Sequence, residues 1–347
     1  MVHQDTQETA SESTTLDAKV TVLCNTEVYQ NRCQRVDTIE THMSWIFLTE
    51  NLVYKLKKPL LRSFINLSHG ADRRLNSWQE LVLNQRLAPH VYLAVLPLTQ
   101  DPRGTLKLNG AGPAVDWLVK MRRLPADLMF DRLIKEQKLS ESDLRRFAST
   151  MVNFYSRCAR STITPEAYLQ RLKTQIKSEQ QQQLLDPNLS LPESSIDHMA
   201  DELLKFVDSD AAAFEARVNS GLIVEGHGDL RPEHICLTEP VVVFDCLEFS
   251  QDLRILDTAD ELAFLFLECT KLSGGDAVAH AIKSVYADMT ADNLPWHVLQ
   301  FYMAKRAMLR AKLAIWHIYD CPLQDHPRWR SQALAYLRTV ADHLGRM

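Results

Sequence analysis

Two runs rich in β-branched, aromatic and other apolar residues, 44–49 and 52–57, with a turn at Glu50-Asn51 between them, predict a β-hairpin. Side chains alternate with period two, so Val53, Lys55 and Lys57 share one face of its second strand. Two more strands are predicted over 91–98 and 114–121, and Gly110-Ala111-Gly112 falls in a turn after the short run 105–108. Between these strands, 71–87 carries Leu75, Trp78 and Val82 at helical spacing and stops before Pro89, which predicts a helix. Glu80, Leu83, Asn84 and Leu87 form a stripe on that helix facing an apolar neighbour. A carboxylate placed there needs a partner, and the strand lysine is the candidate. A solvated Glu80 is the plain alternative, as is an edge strand protected by its lysines.

Beyond residue 125 the period changes to helical. Helices are expected over 127–136, 140–161, 165–183, 195–219 and 295–319. Ser140-Glu141-Ser142-Asp143 and Ser194-Ser195-Ile196-Asp197 read as N-cap starts, and the polar stretch 180–192 as a surface connection. This helical region is interrupted by the stretch Val224-Glu225-Gly226-His227-Gly228-Asp229-Leu230-Arg231-Pro232-Glu233-His234-Ile235-Cys236-Leu237, followed closely by Val241-Val242-Val243-Phe244-Asp245. Two short β-rich runs, each ending near an aspartate, there frame a polar loop.

Composition narrows the alternatives. The 347 residues are 46% hydrophobic, enough for one large core or two lobes. A net charge of -5 argues against nucleic acid as an obligatory partner, which calls for a basic surface. Seven scattered cysteines form no paired CxxC motif, which fits a reducing cytoplasm rather than a disulfide framework. Residues 1–18 are polar and lack the apolar middle of a signal peptide, so a disordered tail is expected. No segment reaches ~18 uninterrupted apolar residues, so no membrane span is predicted. No Gly-x-x-x-x-Gly-Lys-Ser/Thr is present and the glycines at 110 and 112 lack a third, which excludes an ordinary P-loop and a dinucleotide fingerprint.

His227-Gly228-Asp229-Leu230, followed by a strand ending in Asp245, resembles the catalytic loop of the aminoglycoside phosphotransferase and choline kinase group. Kinase loops place asparagine five residues after the aspartate, where this chain has His234. The run from Cys246 to Leu265 looks like the bacterial phosphotransferase-like domain often fused to a P-loop ATPase domain. Glu40-Thr41-His42-Met43-Ser44-Trp45, Val53-Tyr54-Lys55-Leu56-Lys57-Lys58-Pro59, Leu83-Asn84-Gln85-Arg86-Leu87-Ala88-Pro89 and the segment from Tyr302 to Lys312 resemble the same family in the same order. The resemblance spans about residues 20 to 320.

The resemblance implies an α+β, two-lobed protein-kinase-like fold. A β-rich N-lobe with one key helix would cover 19–121 and a mostly helical C-lobe 122–347. It implies a cytoplasmic, ATP- and Mg²⁺-dependent kinase phosphorylating a hydroxyl of a small-molecule acceptor, with a separate P-loop ATPase as a candidate partner. Lys55 would contact phosphate with Lys57 in reserve, Glu80 would pair with the lysine, Asp229 would act as base, and Asp245 would bind metal across a cleft from it. Ser44 would lie in the turn over the phosphates, and Met121 and Arg123 in a hinge at 121–124 that binds adenine. Glu248 is a candidate for orienting metal-bound water or the acceptor.

His234 leaves three outcomes: a site using manganese or one metal only, a histidine bonded to Asp229, or a degraded enzyme. A pseudokinase that senses nucleotide without transfer is the alternative function. Two substrate hints conflict. Asp257, Asp260 and Glu261 could attract a cationic acceptor, although acids also complement a helix N-terminus, whereas Arg306 and Arg310 share a helix face suited to an anionic one. His227, Asp229 and His234 also spell the donor set of non-haem iron oxygenases, with little room for facial geometry.

Overall fold

The structure, a computed structural model, describes residues 14–29, 33–62, 65–179, 184, 191–320 and 322–347. Its contacts divide the chain into two compact units, one of residues up to 129 with 234–252, the other of 130–233 with 253–347. The fold is α+β, with a curled antiparallel sheet in one part and helices dominating the rest.

In the first unit, β1 (Asp37–Glu40), β2 (Ser44–Leu48) and β3 (Leu52–Lys57) run as consecutive antiparallel strands. The predicted hairpin forms with Leu48 opposite Val53 and Ser44 opposite Lys57. A short pair, β4 (Leu61–Arg62) and β5 (Ile65–Asn66), leads to helix α2 (Gly70–Asn84). Then follow β6 (Tyr92–Gln100), β7 (Leu106–Leu108) and β8 (Ala114–Arg122), giving the sheet order β1-β2-β3-β8-β6-β7. β3 therefore lies inside the sheet, and its lysines do not guard an edge. Tyr54 and Leu56 enter a core with Leu23, Phe47, Leu98 and Leu118, so period two sends Lys55 and Lys57 to the opposite face. Leu81 of α2 packs with Val91, Tyr92, Val119 and Met121, and with Cys236 and Val242. Those last two belong to the hairpin of β10 (Ile235–Cys236) and β11 (Val242–Val243).

One element was not expected. Helix α1 (Leu16–Leu23) starts inside the stretch read as a tail, capped by Thr15, whose side chain accepts from the Ala18 amide. Its Lys19 reaches Asp116 at 2.8 Å, and Arg73 holds the same carboxylate at 2.9 Å. All three side chains are buried, so tertiary pairing fixes a helix that local composition does not announce. Residues 1–13 lie outside the described residues.

Helix α2 is polar on its buried side. Arg73, Asn76, Ser77, Glu80 and Asn84 are buried, while Leu75, Trp78 and Val82 are 61%, 44% and 60% exposed. The apolar spacing that marked the helix thus lies on the outside. Leu75→Gln and Val82→Gln are expected to change unfolding free energy by no more than ~0.5 kcal/mol, and Leu81→Ala to cost roughly 2–5 kcal/mol. Denaturant titration measures the contrast.

In the second unit, α3 (Phe130–Lys135) and α4 (Glu141–Arg157) follow one another, the latter opened by a Ser140–Asp143 capping box as anticipated. Helix α5 (Pro165–Glu179) ends where residues 180–183 leave the described set, as does most of the surface connection expected over 180–192. The helix expected over 195–219 is two, α6 (Glu193–Ser209) and α7 (Ala211–Asn219), broken at Asp210, whose φ of -113° and ψ of 25° are not helical. Pro192, not a serine, occupies the α6 N-cap. Strand β9 (Ile223–Glu225) pairs with β12 (Ile255–Asp257), beyond the single turn α8 (Gln251–Arg254). Helices α9 (Thr258–Ser273), α10 (Ala277–Met289), α11 (Trp296–Asp320) and α12 (His326–Leu344) complete the chain. No helix among the described residues is long and apolar enough to cross a membrane.

Candidate active site

In the first unit a charged cluster sits on the polar face of β3. Lys55 Nζ lies 3.0 Å from Glu80 Oε1 and 2.8 Å from Asp245 Oδ1. Lys57 Nζ lies 2.5 Å from Glu80 Oε2 and 2.6 Å from Glu248 Oε1. Strand and helix are thus tied by the bridge the sequence suggested, with both lysines rather than one. Burial alone would push the Glu80 carboxyl up, but Lys55 and Lys57 pull it below its ordinary value. Burial opposes charge on Lys55 too, yet Asp245, then Glu80, hold its pKa well above the usual lysine range.

Asp245 follows β11 with φ of 60°, a left-handed backbone uncommon outside glycine. Two bonds anchor it there: the Asp245 amide donates to the Tyr92 hydroxyl at 3.2 Å, and the Cys246 amide donates to Asn84 Oδ1 at 2.9 Å. Its carboxylate is two-fifths exposed. Burial would raise its pKa, but Lys55 and then His234 hold it far below the carboxylate range. His234 Nε2 is 3.6 Å from Asp245 Oδ2. One carboxylate beside one imidazole fits a metal that takes its remaining ligands from phosphate and water. Among the described residues no group of three His, Cys, Asp or Glu side chains is arranged to hold a metal alone.

In the second unit the polar loop leaves β9. Gly228 has φ of 87°, which a side chain would resist. A Cβ on Gly226 would come within 2.8 Å of Glu261 Oε2. Glu261 Oε1 accepts the amides of His227 at 2.8 Å and Gly228 at 2.6 Å. The loop therefore wraps a buried carboxylate. His227 is fully buried, and its Nδ1 faces the Asp229 amide at 3.3 Å, which disfavours the iron-ligand reading. Arg231 reaches Asp229 at 3.1 Å and Glu233 at 2.7 Å. Sequence reasoning passed over Arg231, although its place two residues after Asp229 was visible.

Glu261→Ala is expected to orphan two buried amides, at roughly 1–3 kcal/mol each, and Glu261→Gln to restore most of that through its amide oxygen. Burial raises the Glu261 pKa, more than the Gly228 amide lowers it. A carboxyl raised in the folded state stabilises most below its unfolded value and loses that contribution as pH rises through the raised value. Glu261→Gln should therefore gain on the native chain between acid and neutral pH, as read by thermal unfolding across that range.

Several candidate residues have partners inside the fold. Ser44 opens β2 opposite Lys57 and is 1% exposed, so it does not lie in the preceding turn. Met121 is a buried β8 residue paired with Val53 and Tyr92. The Arg123 amide donates to Asn51 O and its guanidinium to Thr49 O at 2.7 Å. Arg306 is buried and reaches Asp260 at 2.7 Å, and Arg310 meets Glu268 and the Tyr336 hydroxyl, each at 3.0 Å. These internal pairs give no support to an anionic acceptor site on α11. The acidic trio offers no cationic one: Asp257 caps α9 and pairs with Arg217, Asp260 also takes Lys305, and Glu261 serves the loop. Glu248 is paired with Lys57.

No family model matches the chain. Uncharacterized proteins of Mycobacterium tuberculosis (strain H37Rv) and Mycobacterium bovis are each 29% identical over 317 residues, or 89% of this chain. The chain spans 60% of the length of these relatives. Among solved structures, a choline/ethanolamine kinase family protein from Mesorhizobium loti superposes with TM-score 0.57 at 13% identity, covering 94% of this chain and 98% of that one. An aminoglycoside 2'-phosphotransferase in complex with GDP gives 0.54 at 13%, covering 93% and 97%. An ADP-bound aminoglycoside phosphotransferase gives 0.50 at 14%, covering 95% and 99%. The chain has the two-lobed protein-kinase-like fold of the aminoglycoside phosphotransferases and choline kinases.

Proposed function

We propose that the protein is a phosphotransferase that moves the terminal phosphoryl group of ATP to a hydroxyl of a small molecule. The observation that carries this reading is Lys55 Nζ held between Glu80 and the partly exposed Asp245. A cation fixed on a strand by a buried glutamate, beside an exposed carboxylate, is the equipment that phosphoryl transfer uses to place a metal-bound triphosphate. Two of the similar folds carry nucleoside diphosphates.

In this reading Lys55 binds phosphate oxygens, and Asp245, with His234 beside it, would hold a divalent metal. A bound divalent cation would neutralise charge developing on the phosphate oxygens. Asp229 takes the proton from the acceptor hydroxyl. The acceptor oxygen bonds to the γ-phosphorus, the bond from that phosphorus to the β,γ-bridging oxygen breaks, and ADP leaves with the electron pair. Arg231 orients the Asp229 carboxylate, and Glu261 fixes the backbone before it.

His234 favours a second reading, a nucleotide-binding module without transfer, because neutral imidazole suits borderline metals better than magnesium. Incubation of the chain with γ-labelled ATP and a small-molecule cell extract, in Mg²⁺ or Mn²⁺, separates the two. Label on an extract component, with Mn²⁺ preferred by the native chain and Mg²⁺ by His234→Asn, supports transfer. ATP binding without labelled product supports the module, and absence of nucleotide binding in both chains overturns both readings.

A further inference from the structure

Two lysines meet one glutamate in the first unit, and the duplication is not idle. Each oxygen of Glu80 holds a different lysine, and each lysine holds a second carboxylate, Asp245 for Lys55 and Glu248 for Lys57. Two ion-pair chains therefore run in parallel from α2 through β3 to the segment after β11. They differ in their access to water. Lys55 and Asp245 side chains are 14% and 40% exposed, whereas Lys57 and Glu248 are 2% and 10% exposed. A highly charged, hydrated ligand reaches the first chain and not the second. The lysines are two residues apart on one strand face, roughly 6.6 Å along it, so the inner one does not substitute for the outer without a change of register.

We propose that Lys57 is a positioning residue, clamped between Glu80 and Glu248, that keeps α2 and the Asp245–Glu248 segment in place while Lys55 is left to engage phosphate. The second half of this inference rests on the phosphotransferase reading; the clamp itself does not. The physical need lies in Glu80, which is wholly buried. If Lys55 turned to a phosphate oxygen and Glu80 had no other cation, a buried carboxylate would be stranded, a strongly unfavourable state. Lys57 removes that penalty, so binding at Lys55 does not loosen α2. Glu248 anchors the far end three residues beyond Asp245, across the turn whose amides at 245 and 246 are held by Tyr92 and Asn84.

The test is hydrogen exchange of the Asp245 and Cys246 amides and of α2 in the ligand-free protein, comparing native, Lys55→Met, Lys57→Met and Glu248→Gln chains. Exchange at 245 and 246 should accelerate about tenfold or more, the effect of ~1.4 kcal/mol, in Lys57→Met and Glu248→Gln, and much less in Lys55→Met. If Lys57→Met does not fold, Glu248→Gln, which preserves side-chain volume, decides alone. Native-like exchange in the folded variants overturns the clamp. ATP titration of the same chains separates the roles: Lys57→Met should retain more ATP affinity than Lys55→Met. An equal loss in both, with native-like exchange, would make Lys57 a phosphate ligand and overturn the proposal. A native chain that binds no nucleotide defeats the phosphotransferase reading, and the exchange data still decide the clamp.

Discussion

Asp229→Asn is expected to lower the rate of phosphoryl transfer by about 10²–10⁴-fold, the usual contribution of a general base, with nucleotide affinity unchanged. The amide matches the carboxylate in size and can still meet Arg231 through its oxygen, but it cannot take up the acceptor's proton. The loop around it is held by Glu261 through the amides of His227 and Gly228, neither of which the substitution touches. The loss should therefore appear in kcat and not in the KM for ATP, with the thermal midpoint preserved. A variant that turns over as fast as the native chain would remove Asp229 from the chemistry.

Glu80→Ala is expected to destabilise the first unit strongly. It deletes the anion shared by two lysines, one 14% and the other 2% exposed. Breaking a buried ion pair costs roughly 3–5 kcal/mol, and the lower end applies because Asp245 and Glu248 still face the lysines. Function should fall with stability, since Lys55 loses the group that holds it on the strand. Glu80→Gln keeps the volume and one acceptor oxygen, so it should recover part of the stability. Urea unfolding and ATP titration of both variants measure the two effects. A Glu80→Ala chain as stable as the native would mean that the cluster contributes nothing to the fold.

Much of this site is legible in sequence because its residues sit at periodic positions. Lys55 and Lys57 share a strand face, Glu80 and Asn84 a helix stripe, and Asp245 ends a β-rich run, so local geometry alone brings each to a definable surface. The choice between the two lysines was not legible. It depends on Glu248 reaching Lys57, a contact between residues 191 positions apart. The α1 helix was hidden for the same reason, since Lys19 acts through Asp116 and Arg73 rather than through its neighbours. Arg306, Arg310 and the acids near the start of α9 misled for the opposite reason. Charges on a helix look solvent-facing until a second helix supplies their counterions, as Asp260 does for Arg306 and Glu268 for Arg310. Helix α2 inverted the usual rule: its apolar spacing marked the helix, while its polar residues marked the buried side.

The central claim is that Lys55 is the cation that receives the phosphates of a nucleotide. Equilibrium titration with ATP and with adenosine, in the presence of Mg²⁺ or Mn²⁺, tests it on the native chain and on Lys55→Met. The expected result is that the native chain binds ATP more tightly than adenosine and that Lys55→Met loses this preference while adenosine binding persists. A native chain with no preference for ATP, or a Lys55→Met chain that keeps the preference intact, would contradict it.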